Sequence, residues 1–250
     1  VFKIIVFLMF LSVQSLAQKA PNSVPAVKAF ESSIVISVFN IQKSENSGWR
    51  EELFKKLVES SDLILIQESI DRFGTYKFED TNYIDHFYKS WANQSYNTGL
   101  STLTRVPFDE SKRIVSEDTE PVAATPKVTS IEKYALQGRS EKLLVVNTHG
   151  INFTGLSAFK RQMSAVAKEL KSHQGPMVWA GDFNTWSKRR KLYLDSVMKS
   201  LNLRQVQFRG RSERFLVLDH AFVRGVDVSE AVQLQLSISD HEPLKFRIEF

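Results

Sequence analysis

Five apolar runs in this chain each end on a residue able to ligate a metal ion or move a proton. They end at Asn40, at Glu68, at His149, at Asp182 with Asn184, and at Asp240 with His241. The runs are short and rich in β-branched residues, as in SIVISVFN at 33–40 and LILIQ at 63–67, so they read as buried strands. A buried strand holds its last residue rigidly while leaving it exposed in a cleft, which is how a scaffold preorganises chemistry. Segments of helical periodicity lie between the runs. Strands with helices inserted between them predict layered sheets with helices outside.

The strand at 33–40 is followed by an expected helix at 49–60, where Trp49, Leu53, Leu57 and Val58 recur at helical spacing, and then by the strand at 63–67. This β-α-β opening implies a right-handed crossover. Within 71–97 the pattern is mixed, and a loop with a short helix around 83–91 is expected. Strands follow at 99–104, 113–117, 127–136 and 142–148, a long amphipathic helix at 154–172, a strand at 176–180 and a helix at 188–200. Closing strands are expected at 216–223, 233–238 and 244–250. There is no internal repeat or second linker, so 30–250 reads as one domain, and a chain of this size buries about 70 to 75% of its unfolded surface.

The first residues read as an address. Lys3 precedes an apolar run from Ile4 to Leu11, and Ser15 and Ala17 supply the small residues of a cleavage site. Residues 1–17 are therefore expected to be a signal peptide, and 18–29, with Pro21 and Pro25, a linker. The run falls far short of the roughly 20 residues that cross a bilayer. The expected destination is secreted or periplasmic. The chain has no cysteine, which excludes a disulfide framework, a thiol nucleophile and a thiolate metal site. Catalysis must use oxygen and imidazole groups. A formal net charge of +5 suits an anionic partner without identifying one.

Taken singly, each polar strand end has an ordinary reading. Asn40 can be a turn residue, Glu68 a helix-start charge, and Asp182 with Asn184 an Asx turn. Ser239-Asp240-His241 is the stronger signal, because adjacent carboxylate and imidazole groups cannot both face a core and Pro243 fixes the turn. Of the five histidines, His149, His220 and His241 fall in these segments, while His86 and His173 sit in polar, expectedly exposed stretches. Asp219 ends an apolar run and needs a partner; a catalytic imidazole oriented through its Nδ1 would provide one.

The ordered set Asn40, Gln67-Glu68, Asn147-Thr148-His149, Gly181-Asp182-Phe183-Asn184, Leu218-Asp219-His220 and Ser239-Asp240-His241 resembles the endonuclease/exonuclease/phosphatase superfamily. The resemblance spans nearly the whole chain beyond residue 29, and the strand from Gly99 to Arg105 is similar to the family's strand ending in Ser/Thr-Arg. It implies an α/β fold, a four-layer α/β sandwich of two packed mixed β-sheets flanked by helices, with a divalent-metal phosphoesterase site at one end. Abasic-site enzymes of the family generally carry tyrosine where His149 falls, so this chain looks more like the deoxyribonuclease and sphingomyelinase branches.

By that resemblance, Glu68 is the principal ligand of Mg²⁺ or Mn²⁺, with Ca²⁺ a further candidate, and Asn40 and Asp240 lie beside it. Asp182 orients or deprotonates the attacking water, Asn184 donates to a phosphoryl oxygen, and His241, oriented by Asp219, works opposite His149. Arg105 and Asn147 are candidate substrate-binding residues. So are Lys188, Arg189, Arg190 and Arg214, whose basic clusters suit a phosphate backbone or, equally, a solvated surface. The expected activity is hydrolysis of phosphodiesters, with nucleic acid as substrate and a small or lipid phosphoester as the alternative. A noncatalytic binding protein on the same fold is the third reading. The expected protein is a monomer without a membrane span once its leader is cleaved.

Overall fold

The computed structural model describes residues 28–44, 56–71, 83–122, 124–210, 217–236 and 238–250. The expected signal peptide, most of the linker, most of the helix expected at 49–60, and Arg214 lie outside the described residues. In chain order the elements are β1 (Ser33–Asn40), β2 (Leu63–Asp71), β3 (Ile84–Ala92), β4 (Asn97–Thr104), β5 (Glu110–Thr119), β6 (Pro126–Ala135), β7 (Lys142–His149), α1 (Leu156–Leu170), β8 (Met177–Asp182), α2 (Lys188–Ser200), β9 (Arg204–Gln205), β10 (Asp219–Arg224), β11 (Asp227–Gln233) and β12 (Leu244–Glu249). None of the described helices is long and apolar enough to cross a membrane.

The strands form two six-stranded sheets, ordered β11-β12-β1-β2-β4-β3 and β5-β6-β7-β8-β10-β9. At the centre of each sheet is one parallel pair, β1 with β2 and β7 with β8, and the other neighbours run antiparallel. Alternation decides what each strand faces. Ile36, Val38 and Leu65 of one sheet meet Val145, Val178, Ala180 and Ala221 of the other in the core between them. The intervening residues Val146, Trp179 and Phe222 face outward and are covered by Phe159, Met163 and Val166 of α1 and by Leu194 and Met198 of α2. Each such large side chain contributes about 1.5–3 kcal/mol on burial. On the outer face of the first sheet, Ile64, Ile66 and Leu103 are covered by Leu57, Val58, Leu236 and Ile238. The architecture is thus two mixed sheets flanked by α-helices, as the sequence implied.

α1 forms because Phe159, Met163, Val166 and Leu170 recur on one face, with Lys160, Arg161 and Lys168 kept off it. Ser187 caps α2, its Oγ accepting from Arg190 N–H at 3.3 Å. Two expectations are corrected. The segment expected as a short helix around 83–91 is the edge strand β3, whose backbone groups pair with β4 from Ile84↔Thr104 to Ala92↔Asn97. Its Phe, Tyr and Trp favour a pleated surface once a partner strand is present. The strand expected at 233–238 ends instead at Gln233 in β11, and the following apolar residues Leu236 and Ile238 cap the outer face of the first sheet.

Candidate active site

The register gathers the polar strand ends at one edge of the two sheets. His149 pairs with Asp182 across β7 and β8, and Asp182 pairs with Asp219 across β8 and β10. In the facing sheet Asn40 pairs with Gln67, and the loop carrying Ser239, Asp240 and His241 leads into Leu244 beside Val38. Two glycines permit the close approach of β7 and β8. A Cβ on Gly181, which has φ of 142°, would lie 2.0 Å from the Thr148 carbonyl oxygen, and one on Gly150 would lie 2.5 Å from that of Phe183.

Glu68 does not end its strand. It is the extra residue of a β-bulge, with φ of 55° and a register shift between Gln67 and Ser69. A bulge re-aims side chains. Gln67 points between the sheets and donates to Asn147 Oδ1 at 2.6 Å, while Glu68 reaches the cleft, 3.8 Å from His149 Nε2 and 3.6 Å from Lys43 Nζ.

Asp182 is the hub. Its buried carboxylate accepts from Asn184 N–H at 2.9 Å, from Asn40 Nδ2 at 3.1 Å and from Asn184 Nδ2 at 3.2 Å. His149 Nε2 stands 3.5 Å and His241 Nε2 3.9 Å from the same Oδ2. Burial, then the charge of Asp219, pushes the carboxyl up to about 7 against the pull of His241 and of its hydrogen-bond donors. The two imidazoles diverge. Burial lowers His241, but Asp219, bonded to Nδ1 at 2.7 Å, together with Asp182 and Asp240, overcomes this and raises it to about 10. His149 is held well below its ordinary value by burial and by the cations of Lys127, His241 and Lys43. One imidazole is therefore poised as a cation and the other as a neutral base on either side of one carboxylate.

The donors suit a hard divalent ion. One ligand atom each from Asp182, Asp219 and His241 lie within 4.8 Å of one another, a group able to hold a metal. Asn40 connects this group to the neighbouring side of the cleft through its bond to Asp182, and Glu68 faces it across His149. Asp240 is more exposed and lies 3.9 Å from His241 Nε2. The set is oxygen-rich and free of thiolate, the chemistry of magnesium and manganese sites.

Asn40, Glu68, His149, Asp182, Asn184, Asp219, Asp240 and His241 are thus brought together. Other groups stand elsewhere or are already engaged within the protein. Asn147 is buried and fully engaged, donating to the Ile66 and Ser101 carbonyls and accepting from Gln67. Arg105 follows Thr104, which pairs with Leu63 at the end of β2 away from Glu68, and it stacks on Tyr83. Arg190 is buried and bound to backbone carbonyls, whereas Lys188 and Arg189 are exposed. Asn184 Nδ2 donates to the Gly150 carbonyl and to Asp182, bonds that brace the loop. His220 faces away from the cleft toward Thr185 and Gln205, as alternation after Asp219 requires, and His86 is packed on Phe108.

Lys43 and Gln162 escaped sequence reasoning, and Ser239 was marked only as part of its motif, without a role. Lys43 attends Glu68; Ser239 Oγ donates to the Asn40 carbonyl and accepts from His241 N–H; Gln162 accepts from Ile151 N–H and donates to the His149 carbonyl. Gln162 had a legible signal, a polar residue on the apolar face of α1.

The chain belongs to the Endonuclease/Exonuclease/phosphatase family, whose sequence model matches residues 38–241. Closer at hand, it is 33% identical over 214 residues to a UPF0294 protein of Vibrio parahaemolyticus, covering 83% of this chain and 74% of that one. Among solved structures it is similar to an endonuclease/exonuclease/phosphatase family protein from Leptotrichia buccalis, with TM-score 0.68 at 15% identity over 87% of this chain and 100% of that one. The human Nocturnin catalytic domain with bound sulfate anion superposes with TM-score 0.66 at 19% identity over 89% and 96% of the two chains. At these identities the structural likeness speaks to the fold.

Proposed function

We propose that this chain is a divalent-metal-dependent phosphodiesterase, with nucleic acid as its substrate. The observation that carries the reading is the buried Asp182 carboxylate held between a cationic and a neutral imidazole. Glu68, Asn40 and Asp240 would hold Mg²⁺ or Mn²⁺, and the Asp182 and Asp219 carboxylates beside them add anionic charge, while a cationic His241 is not a ligand. Such an ion, when bound, offsets the charge on the phosphoryl oxygens and acidifies water. The protein's own part follows from its geometry. Asp182, with a pKa of about 7, orients the attacking water and accepts its proton near neutrality. His241, its ring orientation fixed and its charge stabilised by Asp219, presents a charged Nε2–H to a phosphoryl oxygen, and His149 accepts hydrogen bonds from the opposite side. The sulfate held by Nocturnin is an oxyanion of phosphate's shape and supports an anion site on this fold. Exposed Lys188 and Arg189, just beyond the Asp182 loop, favour a polyanion. Export directed by residues 1–17 belongs to the same reading.

Purified protein stripped with chelator should be inactive and regain hydrolysis of plasmid DNA or a chromogenic phosphodiester with Mg²⁺ or Mn²⁺. Glu68→Gln should fold normally and lose turnover at low metal concentration. Wild-type turnover in that variant would remove Glu68 from the site, and full activity in chelator would end the metal-dependent reading.

A further inference from the structure

Next to Asn184 an open cavity of about 460 Å³ is lined by Asn152, Phe153, Thr154, Asn184, Trp186 and Leu218. Apart from Leu218, its walls come from the loops that directly follow His149 at the end of β7 and Asp182 at the end of β8. Two of its aromatic side chains are given to solvent: Phe153 is 75% and Trp186 41% exposed. Phe153 also occupies the left-handed region, with φ of 51°, which a bulky residue disfavours. The loop holds it there nonetheless. Asn152 Oδ1 accepts from Phe153 N–H at 2.8 Å, and Asn152 N–H donates to Glu120 at 2.9 Å. An exposed phenyl ring on a disfavoured backbone gains nothing from packing, and strain retained beside a site is a mark of a ligand clamp.

Arg190 shows that both walls are built. Its guanidinium donates to the Ile151 carbonyl at 2.6 Å, the Thr154 carbonyl at 2.8 Å and Thr154 Oγ1 at 3.1 Å on one side, and to the Asn184 carbonyl at 3.1 Å on the other. It lies 4.7 Å from the Trp186 ring centroid and 4.8 Å from that of Phe159. The buried arginine therefore fixes the separation of the two loops and backs the indole, so the backbone of both walls and the Trp186 face are in place before any substrate arrives.

We propose that this cavity is a subsite for a nucleobase attached to the phosphate being hydrolysed, with Phe153 and Trp186 as stacking surfaces and Arg190 as the residue that positions them. This rests on the phosphodiesterase reading and names its substrate class. A planar base gains by stacking on an exposed aromatic side chain whatever its sequence, and two such side chains stand on a largely apolar lining directly after the strands that end in His149 and Asp182.

The test compares Phe153→Ala and Trp186→Ala with wild type on two diesters of equal charge, a dinucleotide and its abasic analogue. Loss of one stacking surface should reduce kcat/KM for the dinucleotide by roughly 5- to 150-fold and leave the abasic analogue unchanged. Equal losses on both, no loss on either, or a loss confined to a lysophospholipid phosphodiester run in parallel would overturn the subsite. Binding of adenosine 5′-monophosphate and ribose 5-phosphate by calorimetry reads the same question without turnover. If wild type hydrolyses nothing yet binds the nucleotide more tightly, and each variant removes that preference, the subsite stands and the phosphodiesterase reading falls. Equal binding of the two ligands by wild type would sink the subsite whatever the activity.

Discussion

Replacing Asp219 with Asn should discharge His241 at a pH where the native imidazole is still a cation. In the native site the Asp219 carboxylate lies 2.7 Å from His241 Nδ1, and the imidazole stands at about 10 against an ordinary 6.5, although burial alone would lower it. The difference is about 3.5 units, which at 1.36 kcal/mol per unit is on the order of 5 kcal/mol of preference for the charged ring. Asp219 leads the groups that raise it, through both charge and hydrogen bond, ahead of Asp182 and Asp240. Losing one close opposite charge lowers a pKa by about 1–3 units, so the variant should titrate at about 7–9. Because the folded value is raised, the stabilisation from this proton is complete below 6.5 and disappears as pH rises through about 10. Asp219→Asn should therefore flatten the decline of stability across that window. The assay is NMR titration of the histidine Cε1–H resonances in metal-free protein, with His241→Gln used for assignment and urea melts run at matched pH. An imidazole still titrating near 10 in Asp219→Asn would refute the argument, because the remaining carboxylates would then suffice.

Gln162→Leu strips partners from a buried N–H at Ile151 and a buried carbonyl at His149, so stability in urea should fall by about 2–4 kcal/mol and catalysis should weaken as His149 loosens. Unchanged stability would mean that water replaces the amide. Asp182→Ala and His241→Ala should each cost about 100-fold or more in turnover, and the double variant much less than the product, since both act on one transition state. Simple multiplication in steady-state kinetics would assign them to separate steps.

The central strands and most of the candidate cluster were legible because each apolar run gives way abruptly to an amide, carboxylate or imidazole at its end. Ile36 and Val38 face the core while Asn40 stands at the rim, and no neighbour's identity is needed to see that transition. What stayed hidden depends on partners. β3 is strand because β4 offers it an edge, and its own sequence fits a helix nearly as well. In Lys188-Arg189-Arg190-Lys191 the four charges look equivalent, yet the helix turns Arg190 inward, where carbonyls of two loops satisfy it. Asn147 shares a strand face with His149, but it sits deeper, where the second sheet closes over it. The bulge that swings Glu68 into the cleft is a mismatch of register between two strands, which neither sequence contains alone.

The bond from Asn40 to Asp182 spans 142 residues, and that from Ser239 to the Asn40 carbonyl spans 199. A ribosome emitting this chain therefore releases the first acidic and amide groups long before the histidine loop that completes them. No nascent fragment ending before residues 239–241 carries a whole reaction centre, and β12 must still insert between β11 and β1 to seat that loop. Long-range closure of this kind is slow. On the proposed reading, competence of the site thus arrives late in biogenesis, because Asp182 has no His241 beside it until the last strand is in place.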